Sequence, residues 1–86
     1  MKDERGLFYY PDPADRQTRV YVAIEDNEVH FRIWRDDRPD VWDRHGWVPY
    51  SAIQQAAELY RQMGREADPM LLYDIAVAKV LLREGQ

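Results

Sequence analysis

Residues 19–34 read RVYVAIEDNEVHFRIW. Val20, Val22 and Ile24 alternate with Arg19, Tyr21, Ala23 and Glu25; beyond Asp26-Asn27, Val29, Phe31 and Ile33 alternate with His30, Arg32 and Trp34. Period two on both sides of an Asp/Asn pair predicts an antiparallel hairpin. With Asp26-Asn27 as the loop, Ile24 faces Val29, Val22 faces Phe31 and Val20 faces Ile33, which puts all of these apolar side chains on one face. A slip of one residue would send half of them to the other side. The remaining pairs are Ala23 with His30, Tyr21 with Arg32 and Arg19 with Trp34. The last two set an Arg across from an aromatic ring, a stacking worth about 0.5–1 kcal/mol when exposed. Glu25 opposite Glu28 is a like-charge pair at the turn.

The flanks extend the pattern. Leu7 to Tyr10, LFYY, is β-prone and ends at the breaker cluster PDPAD, so it reads as a third strand. Four apolar residues in a row leave open which of its faces points inward. After Trp34, Pro39 suits the first position of a short helix, with Asp40 in its first turn and Gly46 just past its end. Ser51 and Gln54 have capping-box spacing, with Pro49 as an alternative start and Gly64 as the stop. Between them Ile53, Ala56, Ala57, Tyr60 and Met63 form one helical stripe. The last helix is expected over 69–84, with Asp68 as N-cap, Pro69 at N1 and Gly85 as C-cap. Leu71, Ile75, Ala78 and Leu82 make one stripe there, and Met70, Tyr73, Val77, Val80 and Leu81 a second beside it. A helix apolar over most of its girth needs cover on more than one side, so it either lies centrally or forms a homodimer seam.

Eighty-six residues make one domain, 1–86, with a core near the lower size limit. Six Tyr, three Trp and two Phe help a small core that has no cysteine to staple it. The charged MKDERG start has no apolar run after it, and the apolar run from Met70 to Leu82 is broken by Asp74 and Lys79. A soluble, cytoplasmic protein without membrane contact is expected. Net charge is −4, which disfavours a general nucleic-acid binder because counterion release needs a positive face.

Catalytic constellations are absent. There is no Cys, Ser51 is better explained as a cap, and no Gly-rich phosphate loop occurs. His30 and His45 have no metal-ligand spacing, and each reads more simply as an ordinary polar residue. Asp36, Asp37, Asp40 and Asp43 crowd one loop without the oxygen spacing of a calcium site; Arg35, Arg38 and Arg44 among them suggest local neutralisation. No enzyme activity, metal or cofactor is expected. The less apolar sheet face, with Arg19, Tyr21, His30, Arg32 and Trp34, interleaves aromatics with Arg as single-strand nucleic-acid platforms do. Its bland reading is a wet sheet face.

The strand from Asn27 to Trp34, followed by Gly46-Trp47, resembles the strand and paired-Trp pattern of MbtH-like proteins. Those are small β-sheet-plus-helix partners of adenylation domains in nonribosomal peptide synthetases. The similarity covers about ten residues. Arg35 stands where that pattern has Pro, His30 and Arg32 replace its Gln and Ser, and the helix that follows shares no motif. We read it as convergence on the same hairpin physics and carry over no residue roles.

The expectation is therefore an α+β domain: a three-stranded antiparallel β-meander, then a short helical turn and two longer α-helices packed on one sheet face. Phe31 and Ile33 belong to the core, and Trp42 and Trp47 plug its end. Trp34, stacked on Arg19 across the strands, is the contact residue of choice. The expected function is a small non-enzymatic protein-interaction module, self-associating through the 69–84 helix. The alternative is a binder of a small ligand or single-stranded nucleic acid, using Arg19, Tyr21, His30, Arg32 and Trp34 on an open sheet face.

Overall fold

The hairpin forms as its alternation requires. In the computed structural model, which describes residues 1–64 and 73–85, strand β3 spans Thr18–Glu25 and strand β4 spans Glu28–Arg35. Their register pairs Val20 with Ile33, Val22 with Phe31 and Ile24 with Val29, running from Thr18–Arg35 down to Glu25–Glu28. Asp26 and Asn27 take φ of 53° and 63°, the left-handed pair that a tight two-residue loop demands and that Asn and Asp tolerate best.

The sheet is larger than the expected three-stranded meander. It has five antiparallel strands in the order β1-β2-β3-β4-β5. Strand β1 is Lys2–Asp3, β2 is Gly6–Tyr9 and β5 is Val48–Pro49. The two added strands are two residues long, too short to show a period. β1 folds back on β2 through a turn in which the Arg5 backbone N–H donates to Asp3 Oδ1 at 2.8 Å. β5 sits at the edge, where Pro49 opposite His30 costs little because an edge strand can spare a donor. The open question on β2 is settled by register: Leu7 and Tyr9 pair with Val22 and Val20 and join the core, while Phe8 pairs with Tyr21 on the other face.

Three helices complete the α+β fold: α1 (Asp40–His45), α2 (Tyr50–Gln62) and α3 (Ile75–Glu84). α2 and α3 cover the Val20/Val22/Phe31 face, burying Ile53, Ala57 and Ala78. Ile24, expected in this core, is 58% exposed, at the end of β3 one residue before the closing Glu25–Glu28 pair. α1 packs instead on the second face, its Trp42 edge-on to Tyr21 at 5.1 Å.

Two helix starts differ from expectation for local reasons. α2 starts at Tyr50 with Pro49, the alternative start, as its N-cap residue in place of Ser51, and with no side-chain cap hydrogen bond. The carboxylate of Glu28, across the hairpin turn, accepts the Ser51 backbone N–H at 2.8 Å. Hydrogen bonds from the Ser51 hydroxyl and, next, its backbone N–H hold the Glu28 carboxyl below its ordinary value. The expected N-cap at Asp68, with Pro69, Met70 and Leu71, lies outside the described residues. Within them α3 starts at Ile75, because Asp74 is its cap and accepts from Ala76 and Val77 N–H at 3.0 and 3.2 Å. The Asp74 N–H donates to the Tyr9 hydroxyl at 2.8 Å, tying the head of α3 to β2. Burial and the neighbouring Asp74 carboxylate push Tyr9 up to about 12, so this hydroxyl stays protonated at any physiological pH. Gly85 closes α3 in the left-handed conformation, φ 73°, as its position predicted.

Candidate functional site

The second sheet face draws on β2, β3, β4, α1 and the β1–β2 turn. β3 supplies Arg19 and Tyr21, β4 supplies Arg32 and Trp34, β2 supplies Phe8, α1 supplies Trp42, and the β1–β2 turn supplies Arg5. The period-two alternation of β3 and β4 places the first four on this side together.

Guanidinium groups and rings alternate across it. Arg19 lies over Phe8 at 5.0 Å and over Trp34 at 4.8 Å. Arg5 stands between Trp34 at 5.3 Å and Trp42 at 6.0 Å. Arg32 lies over Trp42 at 3.9 Å, and its Nε donates to the Trp42 carbonyl at 2.8 Å. Trp42 meets Trp47 edge-on at 6.0 Å. The three tryptophans thus share one surface, linked by Arg5, and Trp42 and Trp47 do not plug the end of the core. The cross-strand stacking of Arg19 on Trp34 is present; Arg32 has turned from Tyr21 to Trp42.

Beneath this surface is a polar knot. The fully buried Tyr21 donates its hydroxyl to Asp3 Oδ2 at 2.5 Å, and Arg19 reaches the same oxygen at 3.1 Å. Burial alone would raise the Asp3 carboxyl, but the Tyr21 hydroxyl, the Arg5 backbone N–H and the charges of Arg19 and Arg5 together hold it below its ordinary value. Burial and the bond to Asp3 raise Tyr21 in turn. Tyr21 therefore organises the face from below and offers nothing to solvent. Arg19 Nε, sealed beside its stacked rings, has no hydrogen-bond partner among the described residues.

Of the residues singled out in the sequence, Arg19, Arg32 and Trp34 meet at this surface and Tyr21 lies under it. His30, half-buried, bonds the Glu28 carbonyl through Nδ1 at 3.0 Å and makes none of the ring contacts among the described residues. Arg5, Trp42 and Asp3 were missed. The only available signal for Arg5 was Gly6, φ 127°, which marks the segment before it as a turn rather than a charged tail.

In the acidic loop after β4, Asp37 and Asp40 pair with the loop's own Arg residues. Arg35 forks onto Asp37 at 3.0 Å twice, and Arg38 and Arg44 both reach Asp40, at 3.3 and 3.4 Å. A separate cleft of about 550 Å³ opens between the end of β4 and α1, with Phe31, Ile33, Val41, Val48 and Tyr73 among its apolar lining. Among the described residues no helix is long and apolar enough to cross a membrane. Compared with family models, curated proteins and solved structures, the chain matches none of them. The MbtH-like stretch gains no support there, and no role is drawn from it.

Proposed function

We propose that this protein is a non-enzymatic interaction module that docks a partner protein on the Arg5/Arg19/Arg32/Trp34/Trp42 face. One observation carries the reading: guanidinium groups stacked on half-buried tryptophan rings, Arg5 between Trp34 at 5.3 Å and Trp42 at 6.0 Å and Arg19 on Trp34 at 4.8 Å. Trp and Arg are the residue types that most often dominate binding energy at interfaces. Stacked side chains have already lost their rotamer freedom, so binding costs less in ordering them. Each cation of this face has a carboxylate within reach: Asp3 for Arg19 at 3.1 Å, Glu4 for Arg5 at 3.6 Å and Asp43 for Arg32 at 3.9 Å.

The alternative of a single-strand nucleic-acid platform loses one of its two stacking rings, because Tyr21 is fully buried. Self-association through the last helix keeps one supporting observation, the exposure of Val77 and Val80 at 36% and 41% on α3. Sedimentation velocity decides it: a concentration-dependent dimer lost in Val80→Glu supports the seam, and a monomer at every concentration removes it.

The docking face is tested by quantitative capture from the native host with folded wild-type, Trp34→Ala and Leu59→Ala baits. A specific partner should fall at least about tenfold with Trp34→Ala, the scale of a hot-spot loss, and stay unchanged with Leu59→Ala on the outer side of α2. Equal recovery on all three baits would refute the reading.

A further inference from the structure

One short segment supplies both the bridge between two tryptophans and the charge beneath them. Arg5 stands between Trp34 at 5.3 Å and Trp42 at 6.0 Å. Two residues before it, Asp3 takes the Tyr21 hydroxyl at 2.5 Å and Arg19 at 3.1 Å. The Arg5 backbone N–H donates to Asp3 Oδ1 at 2.8 Å, so Arg5 reaches its rings from a turn that Asp3 anchors.

Polar contacts hold this segment down. Met1, Lys2, Glu4 and Arg5 are exposed, and Asp3 is half-buried. β1 is an edge strand of two residues, paired as Lys2–Leu7 and Asp3–Gly6, with the Phe8 N–H donating to the Met1 carbonyl at 2.9 Å. β3 and β4, by contrast, pair along their full length and carry the core residues Val20, Val22 and Phe31. Local stability follows buried apolar contact, so residues 1–5 open more readily than the hairpin beneath them. Gly6, at φ 127°, joins the segment to β2 and gives the backbone a pivot that other residues lack.

The face sets the cost of opening. The Tyr21 hydroxyl, on a fully buried residue, and the Arg19 guanidinium both lose their carboxylate. A bond to a charged group shifts such an equilibrium by about tenfold or more. Each tryptophan keeps a cation that does not belong to the segment, Arg19 on Trp34 at 4.8 Å and Arg32 on Trp42 at 3.9 Å. Opening therefore divides the face and leaves its halves standing.

We infer that residues 1–5 are a strap, latched by the Asp3 carboxylate on Tyr21 and Arg19, whose closure joins Trp34 and Trp42 into one surface. Its consequence rests on the docking face proposed above: a partner that grips the joined surface also holds the strap shut, by linkage. The test reads the free protein, so strap and docking face can each fail alone. Native-state hydrogen exchange of the full ¹⁵N-labelled chain follows the strap through the Phe8 N–H. In the wild type this group should exchange at least about tenfold faster than the protected amides of β3 and β4, with little dependence on denaturant. Tyr21→Phe takes the catch from β3, leaves the Asp3 turn intact, and should quicken Phe8 exchange by about tenfold. Ile53→Val, in the core under α2, should quicken the β3 and β4 amides and leave Phe8 unchanged. Asp3→Lys sets a cation against Arg19 and should hold the strap open, carrying the Arg5 Cδ protons from their ring-shifted positions to random-coil values while β3 and β4 stay protected. Phe8 exchange that rises with the hairpin amides in Ile53→Val, or that ignores Tyr21→Phe, overturns the inference. So do Arg5 protons that stay ring-shifted in Asp3→Lys, which would make the bridge independent of the latch.

Discussion

Tyr21→Phe removes one oxygen atom from the centre of the second face and leaves its packing in place. The ring stays between Phe8 at 5.2 Å and Trp42 at 5.1 Å. What goes is the 2.5 Å bond to Asp3 Oδ2 and the weaker 3.4 Å bond that the hydroxyl accepts from Arg19. A hydrogen bond to a charged group contributes about 1.5–3 kcal/mol. The low end applies, because the Asp3 and Arg19 side chains are 22% and 28% exposed and water can replace the lost partner in part. We expect a loss of ~1.5 kcal/mol. At ~2.1 cal/mol/K per residue, a chain of 86 residues has an unfolding entropy near ~180 cal/mol/K, and the midpoint should fall by ~8 °C. Thermal unfolding followed by tryptophan fluorescence measures it. A double-mutant cycle with Asp3→Asn isolates the pair, with an expected coupling of ~1 kcal/mol. A midpoint drop under about 2 °C, or strict additivity with Asp3→Asn, would mean that the knot under the face contributes nothing.

Other perturbations probe the remaining parts. Lowering the pH should erase the Tyr21→Phe difference. The folded-state Asp3 carboxyl lies below its ordinary 3.8, so its contribution is complete above that value and is lost as pH falls through the folded pKa; in a pH series the two proteins' midpoints should differ fully above pH 3.8 and converge only below it. Phe31→Ala, at a residue with no exposed surface between Tyr50 and Tyr73, should cost ~3–5 kcal/mol by chemical denaturation; a cost under ~1.5 would place the core elsewhere. Asn27→Ala, at φ 63°, should destabilise by ~1 kcal/mol while Asn27→Gly is neutral or better, and equal effects would count against the left-handed loop.

How legible each part was follows from where its signal resides. The β3–β4 register was readable because parity along two eight-residue strands leaves one alignment that gathers Val20, Val22, Phe31 and Ile33. β1 and β5 hold two residues each, and no period exists at that length. Glu28 capping α2 across 23 positions could not be seen from the Ser51 neighbourhood, where local spacing suggested a capping box. The burial of Tyr21 was hidden because a tyrosine on an amphipathic strand reads alike whether α1 covers it or water does. Arg19 and Trp34 were found since they lie opposite each other on one hairpin, whereas Arg5 and Trp42 reach the same surface from a turn and a helix. The cleft was invisible for the same reason: Asp12, Phe31, Val41 and Tyr73 meet only in three dimensions.

The most direct test of the proposed docking face is site-specific photocrosslinking in the native host, with a benzophenone amino acid at position 34 and, as control, at position 59. Position 34 should give a discrete light-dependent adduct that excess wild-type protein competes away and that Arg5→Glu in the same chain abolishes; position 59 should give none. Adducts from position 59 but not from position 34 would contradict the account.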